Sequence, residues 1–238
     1  MEKLKQDFIL NFVNDNRWKY ITSGLVNTLK ITFFAVLMGI AIGIIVAIVR
    51  STHDKNIDTM HPGFGKGMLK VGNWICNLYL TIIRGTPVVV QLMIMYYIIF
   101  ANSRNGIAVA TLAFGINSGA YVAEIFRSGI MAIDNGQFEA GRSLGLNFVQ
   151  TMRFIIIPQA FKNVLPALAN EFIVLLKETS VAGYVTVRDL TMGGNIIRSV
   201  TYSPFLPLIV VALIYLVMVI FFSWLVGKLE RRLRNSDH

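Results

Sequence analysis

The chain has 238 residues, of which 55% are hydrophobic and only 15% charged, and its formal net charge is +9. Soluble domains contain about 45–50% apolar and about 25% charged residues, so this composition excludes an ordinary soluble domain. The positive charge does not indicate a nucleic-acid-binding protein, because lysines and arginines cluster at the ends of apolar runs, where they hold cytoplasmic loops. The single cysteine, Cys76, excludes an intrachain disulfide framework and a cysteine zinc site.

The first predicted element is a short helix within residues 1–20. Phe8, Ile9, Phe12 and Val13 fall on one helical face, which is typical of a helix that lies on the membrane surface. The segment does not have the pattern of a signal peptide, because its apolar stretch is short and is interrupted by asparagine and aspartate.

Five membrane-spanning helices are predicted, over residues 21–49, 74–101, 106–133, 154–178 and 204–227. The first and last contain long uncharged runs, and a bilayer core of about 30 Å needs roughly 20 such residues. The other three are interrupted by charged residues or proline, so they must face protein or water over part of their length. The second is expected to be one helix with a kink near Pro87. Residues 1–238 are therefore predicted to form a single all-α integral membrane domain.

An odd number of spans places the two termini on opposite sides of the membrane. Lysine and arginine are in excess in the loops that share a side with the C-terminal tail, and the tail sequence KLERRLR directly follows the last span. The positive-inside rule therefore predicts a multi-pass membrane protein with the N-terminus outside and the C-terminus in the cytoplasm.

Polar residues at membrane depth are candidate contacts for a transported solute. The third predicted span carries Asn117, Ser118 and Tyr121, and the fourth carries Asn170 and Glu171. These side chains offer both hydrogen-bond donors and hydrogen-bond acceptors. Hydrogen bonding between helices is the alternative interpretation of the same residues.

A short cytoplasmic helix is predicted at residues 136–146, before the fourth span. Asp134 to Gly136 is typical of a turn. Gly145 is expected to end the helix in the left-handed conformation, and Asn147 is expected to cap the helix that follows. Such a segment would form a rigid cytoplasmic projection.

The same segment resembles the cytoplasmic signature of ABC importer permeases. That signature is Glu-Ala-Ala, three residues, Gly, nine residues, and Ile-x-Leu-Pro; here the tripeptide is EAG at 139–141, followed by Gly145 and by IIIP at 155–158. Gly141 and Ile157 depart from the signature while remaining small or aliphatic. Further resemblance to the polar amino-acid branch, the histidine- and glutamine-type permeases, lies in GLVNTLKIT near residue 24, RGTPVVVQL at 84, NSGAYVAEIFRSGI at 117 and ANEFIVLLKETS at 169.

The resemblance implies a type I ABC importer permease of the bacterial inner membrane. Such a subunit works as a homodimer or heterodimer with two cytoplasmic ATPase subunits and an extracellular solute-binding protein. It would move polar amino acids, while ATP and Mg would be bound by the partner ATPase, with no cofactor in this chain. Coupling to the ATPase would fall on Glu139, Ala140, Gly141, Arg142, Leu144 and Gly145.

Two other classes of protein are alternatives to this interpretation. A self-contained secondary transporter or channel for small polar solutes is disfavoured by the cytoplasmic signature. An integral membrane enzyme is disfavoured because no catalytic cluster is recognisable. The sequence GFGKG near Gly63 lacks the spacing of a phosphate loop, and residues 53–61 match no common metal motif.

Overall fold

The computed structural model describes residues 2–58 and 60–234, and every regular element in that part of the chain is helical. The α-helices are α1 (Glu2–Phe8), α2 (Trp18–Asn56), α3 (Phe64–Gly85), α4 (Val88–Ile94), α5 (Gly106–Met131), α6 (Asn135–Ser143), α7 (Phe148–Thr151), α8 (Ile157–Glu178), α9 (Leu190–Thr201) and α10 (Phe205–Arg234). The predicted all-α membrane fold is confirmed.

Three described helices are long and apolar enough to cross a membrane by themselves, namely α2, α5 and α10. The pair formed by α3 and the segment after it makes a fourth candidate if it is counted as one broken span. The predicted fourth span at residues 154–178 is present as α8. It falls below this test of apolar character because Lys162, Pro166 and Glu171 lie within the helix.

The second predicted span differs from the expected single kinked helix. The chain forms two helices, α3 and the segment 88–99, whose directions differ by 107°. Thr86 adopts an extended conformation, which is the conformation that a residue before proline prefers, and Pro87 then begins the next helix. Because Pro87 also lacks a backbone donor, the helical hydrogen bonds are interrupted at this point.

The N-terminal segment is only partly the predicted surface helix. It consists of α1, a π turn at Ile9–Val13 and a 3-10 turn at Asn14–Asn16. Phe12 is buried against α9 and α10, whereas the other three apolar residues of the predicted face are exposed. Asn11 explains this placement, because its side chain donates to Ser203 Oγ at 3.2 Å and accepts from Thr201 Oγ1 at 2.8 Å.

Helices α2 and α5 pack very closely because glycines line their contact. A Cβ atom on Gly43 would lie 2.5 Å from Val122 Cγ1, and one on Gly39 would lie 2.9 Å from Ser118 Oγ. Residues 39–43 and 115–119 both have the GxxxG pattern, which lets membrane helices approach each other. The two GxxxG patterns are a sequence signal for the contact between α2 and α5 that the expected spans did not include.

Candidate functional site

The predicted cytoplasmic helix is present as α6, with a well-defined start and end. The Asp134 carboxylate accepts from Gly136 N at 2.6 Å and caps the first turn. At the other end Gly145 has a φ of +79°, Leu146 N donates to Gly141 O at 3.0 Å, and Gly145 N donates to Arg142 O at 2.9 Å. These two bonds form a Schellman motif, so glycine at 145 ends the helix as predicted.

The next helix begins with the predicted cap. Asn147 accepts from Gln150 N at 2.9 Å, and the Gln150 side chain accepts from Asn147 N at 2.9 Å, which completes a capping box. From there the chain continues through a π turn at Met152–Ile156 into α8. Pro158 therefore lies inside a continuous helical segment, two residues after the π turn ends at Ile156.

Gly141 sets the distance between α6 and α7. A Cβ atom at this position would lie 2.6 Å from both Thr151 Oγ1 and Thr151 Cγ2, so only glycine fits without a shift. This contact gives a physical reason for the departure from the second alanine of the signature. It also makes Gly141 the buried member of the predicted coupling set; its exposed members are Glu139, Ala140, Arg142, Leu144 and Gly145.

The surface of α6 combines charge with an exposed apolar residue. Leu144 is 75% exposed, and Glu139 and Arg142 both line a pocket of about 390 Å³ between α6, α7 and the end of α2. Lys55 of α2 donates to Asn135 Oδ1 at 2.8 Å, and its ammonium group lies 4.6 Å from the centroid of the Phe138 ring. These contacts hold α6 against α2.

The candidate pathway residues of α5 and α8 lie close together. Ser118 Oγ donates to Glu171 Oε1 at 2.9 Å, and both residues are buried where α5 meets α8. Asn117 is also buried, and its Nδ2 donates to Gln91 Oε1 of α4 at 2.9 Å. Tyr121, one turn after Asn117, is 38% exposed.

Asn170 lies beside Glu171 in sequence but is exposed on α8. The five candidates therefore divide into a buried set, in which Ser118 and Glu171 bond to each other, and two accessible side chains. The accessible ones are Tyr121 and Asn170. Such an arrangement can present amide and hydroxyl groups to a solute, with a carboxylate directly behind them.

Gln91 is a residue that the sequence interpretation missed. Its Nε2 lies 2.7 Å from Ile83 O and 3.1 Å from Thr86 O, so it pairs carbonyls released by the break between α3 and α4. Its Oε1 accepts from Asn117. The sequence does contain a signal for this role: Gln91 lies one turn after the helix-breaking Pro87 in an apolar segment, where an amide needs a polar partner.

Glu124 of α5 is surrounded by guanidinium groups. It pairs with Arg50 of α2, lies 3.9 Å from Arg84 Nη1 and 3.6 Å from Arg127 Nε. Arg127 also donates to Asp54 Oδ2 at 3.0 Å. Arginines from α2, α3 and α5 therefore converge on this one carboxylate. Among the described residues, no three side chains that commonly bind metals converge.

Comparisons with known proteins add independent information. Residues 63–235 match the family described as binding-protein-dependent transport system inner membrane component. The arginine transport system permease protein ArtQ of Bacillus subtilis is 35% identical over 221 residues, covering 92% of this chain and 94% of that protein. The putative glutamine transport system permease protein GlnP of Rickettsia bellii is 33% identical over 217 residues, covering 90% of this chain and 93% of that protein.

Two solved structures resemble the chain in three dimensions. A crystal structure of an amino acid ABC transporter with histidines has a TM-score of 0.79 at 43% identity and covers 90% of this chain and 94% of that one. The MetNI methionine ABC transporter, in an inward facing conformation, has a TM-score of 0.76 at 19% identity. The match covers 92% of this chain and 99% of that one. The second likeness concerns the fold alone.

Proposed function

The chain belongs to the family of inner membrane components of binding-protein-dependent transport systems, and on that premise we propose that it is the permease subunit of an ATP-binding cassette importer that moves polar amino acids into the cytoplasm. A transport subunit of this family is not itself an enzyme. The proposed substrate class is supported by relatives whose names specify arginine, glutamine and L-cystine transport. A self-contained channel or secondary transporter is not favoured, because this family works with binding proteins.

The observation that carries the proposal is the construction of residues 134–151. Helix α6 is short, capped at both ends and fixed to α2 and α7, so it can move as a rigid body. Its exposed Glu139, Arg142 and Leu144 offer two charges and one apolar side chain to a cytoplasmic partner. We infer that a partner ATPase, which binds ATP and Mg, grips this surface and switches the permease between two packings.

The assembly requires three kinds of partner: ATPase subunits, a second permease and an extracellular solute-binding protein. The proposed orientation has α6 and the C-terminus in the cytoplasm and the N-terminus outside. It is supported by the basic C-terminal end of α10, where Lys228 lies 3.7 Å from the centroid of the Trp224 ring. Paired aromatic and basic residues are typical of the membrane–water interface.

The proposed solute pathway follows the contact between α5 and α8. Tyr121 and Asn170 would meet the solute first, and Asn117, Ser118 and Glu171 would supply polar groups behind them. The buried bond from Ser118 to Glu171 supports this, because an ionisable group inside a membrane bundle is a functional candidate. The solute would be imported as the α5–α8 contact becomes accessible first from outside and then from the cytoplasm in the two packings.

The coupling proposal is tested by Glu139→Ala in the reconstituted complex. Solute-stimulated ATP hydrolysis and association with the ATPase should both fall, while membrane insertion should not change. Glu230→Ala is a matched control, because Glu230 is also an exposed glutamate on the proposed cytoplasmic side but lies outside α6. Equal ATPase association of the Glu139 variant and the control would contradict a role for α6 in coupling.

A further inference from the structure

We propose that a pocket between α2, α3 and α5 binds the phosphate group of an anionic phospholipid. The pocket has a volume of about 400 Å³, and the polar residues lining it are Arg50, Asn77, Thr81, Arg84, Glu124 and Arg127. It is separate from the coupling surface of α6, and it adjoins the proposed solute pathway because the Arg84 guanidinium group lies 5.7 Å from the centroid of the Tyr121 ring. The assignment to the inner leaflet rests on the orientation proposed above.

The pocket has an excess of positive charge. The arginines contribute three guanidinium groups, from Arg50, Arg84 and Arg127. Only two carboxylates, from Glu124 and Asp54, lie beside them. An arginine has five N–H donors in a planar fork that matches a phosphate or carboxylate group. One net positive charge and many donors therefore remain available for an added oxyanion.

Particular donors in this pocket lack partners. Arg50 Nε is buried and has no hydrogen-bond partner within the described part of the chain. Arg84 approaches Glu124 only to 3.9 Å, and its side chain is 45% exposed. Asn77 and Thr81, one helical turn apart on α3, add amide and hydroxyl donors to the same wall. A phosphate in the pocket would accept from Arg84, Asn77 and Thr81.

The depth of the pocket matches lipid phosphates. Arg50 directly follows the uncharged run at residues 31–49 of α2, whose length at about 1.5 Å per residue equals roughly the hydrocarbon thickness. Glu124 likewise follows the uncharged first part of α5. The guanidinium groups therefore lie where the headgroup region begins. Basic pockets between membrane helices at this level are suited to anionic headgroups.

An apolar strip beside the pocket fits acyl chains. Trp74, Leu78 and Ile82 succeed one another at one-turn intervals on α3 and are 64%, 44% and 52% exposed. They lie next to Asn77 and Thr81 in sequence, so the strip borders the polar wall. This adjacency favours a phospholipid over a soluble anion, because the two parts of one molecule would occupy both surfaces.

Native mass spectrometry of the purified full chain tests the proposal. The chain is prepared in detergent with phosphatidylglycerol or with phosphatidylcholine, and the retained lipid is counted. Phosphatidylglycerol should be retained preferentially, and Arg84→Gln should weaken its retention about fivefold, as expected for the loss of one basic contact. Arg104→Gln, in the exposed loop before α5, is the matched control and should retain lipid as the unmodified chain does.

A second variant shows whether the loss of lipid in Arg84→Gln comes from the pocket itself or from misfolding of that variant. Thr81→Leu narrows the pocket without removing a charge and should weaken phosphatidylglycerol retention in the same direction. Equal retention of the two lipids, or equal losses in Arg84→Gln and Arg104→Gln, would overturn the site. Displacement of bound phosphatidylglycerol by millimolar inorganic phosphate would overturn the assignment to lipid. Because no ATPase is present, the result is independent of the coupling experiment.

Discussion

Gln91 and Asn117 connect the broken second span to the centre of α5. Asn117 Nδ2 donates to Gln91 Oε1 at 2.9 Å, while Gln91 Nε2 lies within hydrogen-bonding distance of Ile83 O and Thr86 O. One side chain therefore satisfies the carbonyls freed at Pro87 and fixes the break against a candidate pathway residue. The break is held by specific bonds, so its position should respond to a change at residue 91.

Replacement of Gln91 by leucine should destabilise the protein. Ile83 O and Thr86 O would lose the amide donor that pairs with them, and a typical hydrogen bond contributes about 0.5–1.5 kcal/mol to stability. The free energy of unfolding in detergent measures the effect. Gln6→Leu, on the exposed surface of α1, is the control and should change stability little. A loss of similar size in both variants would show that Gln91 does not hold the break.

Replacement of Gly145 by alanine should destabilise the end of α6. The φ of +79° is costly for a residue with a Cβ atom, by about 1–2 kcal/mol, although the space around the site is open. Gly145→Asn should cost less, since asparagine tolerates this conformation better. Thermal unfolding of the two variants provides the measurement. Gly227→Ala, where the added Cβ atom meets nothing within 4 Å, should be harmless.

Gly141 and Thr151 should show strong energetic coupling. Gly141→Ala places a methyl group 2.6 Å from the Thr151 side chain, and overpacking of this kind costs about 1–3 kcal/mol. Thr151→Ala removes the obstructing atoms, so the double variant should recover part of that loss. A double-mutant cycle of unfolding free energies tests this expectation. Additive effects would mean that the two side-chain positions do not constrain each other.

The Asp189 carboxyl should make stability depend on pH. Burial raises its pKa above the ordinary value, although hydrogen bonds from Thr191 N and Met192 N oppose this shift. The folded protein therefore holds a proton that the unfolded chain has already released. Its contribution to stability is greatest below the ordinary pKa of the unfolded aspartate and declines as pH rises through the raised value.

Asp189→Asn should remove this pH dependence while preserving the cap of α9, because asparagine caps helices as well as aspartate does. Asp189→Ala should instead lose about 1 kcal/mol at every pH, since Thr191 N and Met192 N would have no acceptor. Unfolding free energies measured from about pH 4, near the ordinary aspartate pKa of about 3.9, to about pH 8 compare the three chains. Identical pH profiles for aspartate and asparagine would refute the titration.

Replacement of Glu171 by glutamine separates solute binding from packing. The glutamine oxygen still accepts from Ser118 Oγ, so stability should change little. If Glu171 binds the ammonium group of the solute, the KM for uptake should rise about tenfold or more, because a bond to a charged group is lost. Uptake by the reconstituted complex measures the change. Unaltered kinetics would exclude Glu171 as a ligand.

Features that depend on neighbouring residues were predictable from the sequence. Gly145 ends α6 and Asn147 caps the next helix because both effects arise within one helical turn. The long uncharged runs likewise predicted α2 and α10, since hydropathy over about 20 residues suffices to define a span. The family membership was predicted from a spaced motif and is confirmed.

Features that join distant parts of the chain could not be predicted in this way. The residue before a proline indicates a break, but not that the helices would differ in direction by 107°. Phe12 shares a helical face with exposed residues and is nevertheless buried, because Asn11 binds the turn between α9 and α10. Both outcomes depend on partners that lie far away in sequence.

The sequence by itself determined that this chain is a helical membrane protein, and where the short helix α6 begins and ends, because hydropathy and backbone preference act locally. Only the tertiary structure decided which polar groups meet: Gln91 with Asn117, Ser118 with Glu171, and three arginines around Glu124. The physical reason is that a charge or amide in an apolar environment must find a partner, while its identity depends on how the helices pack.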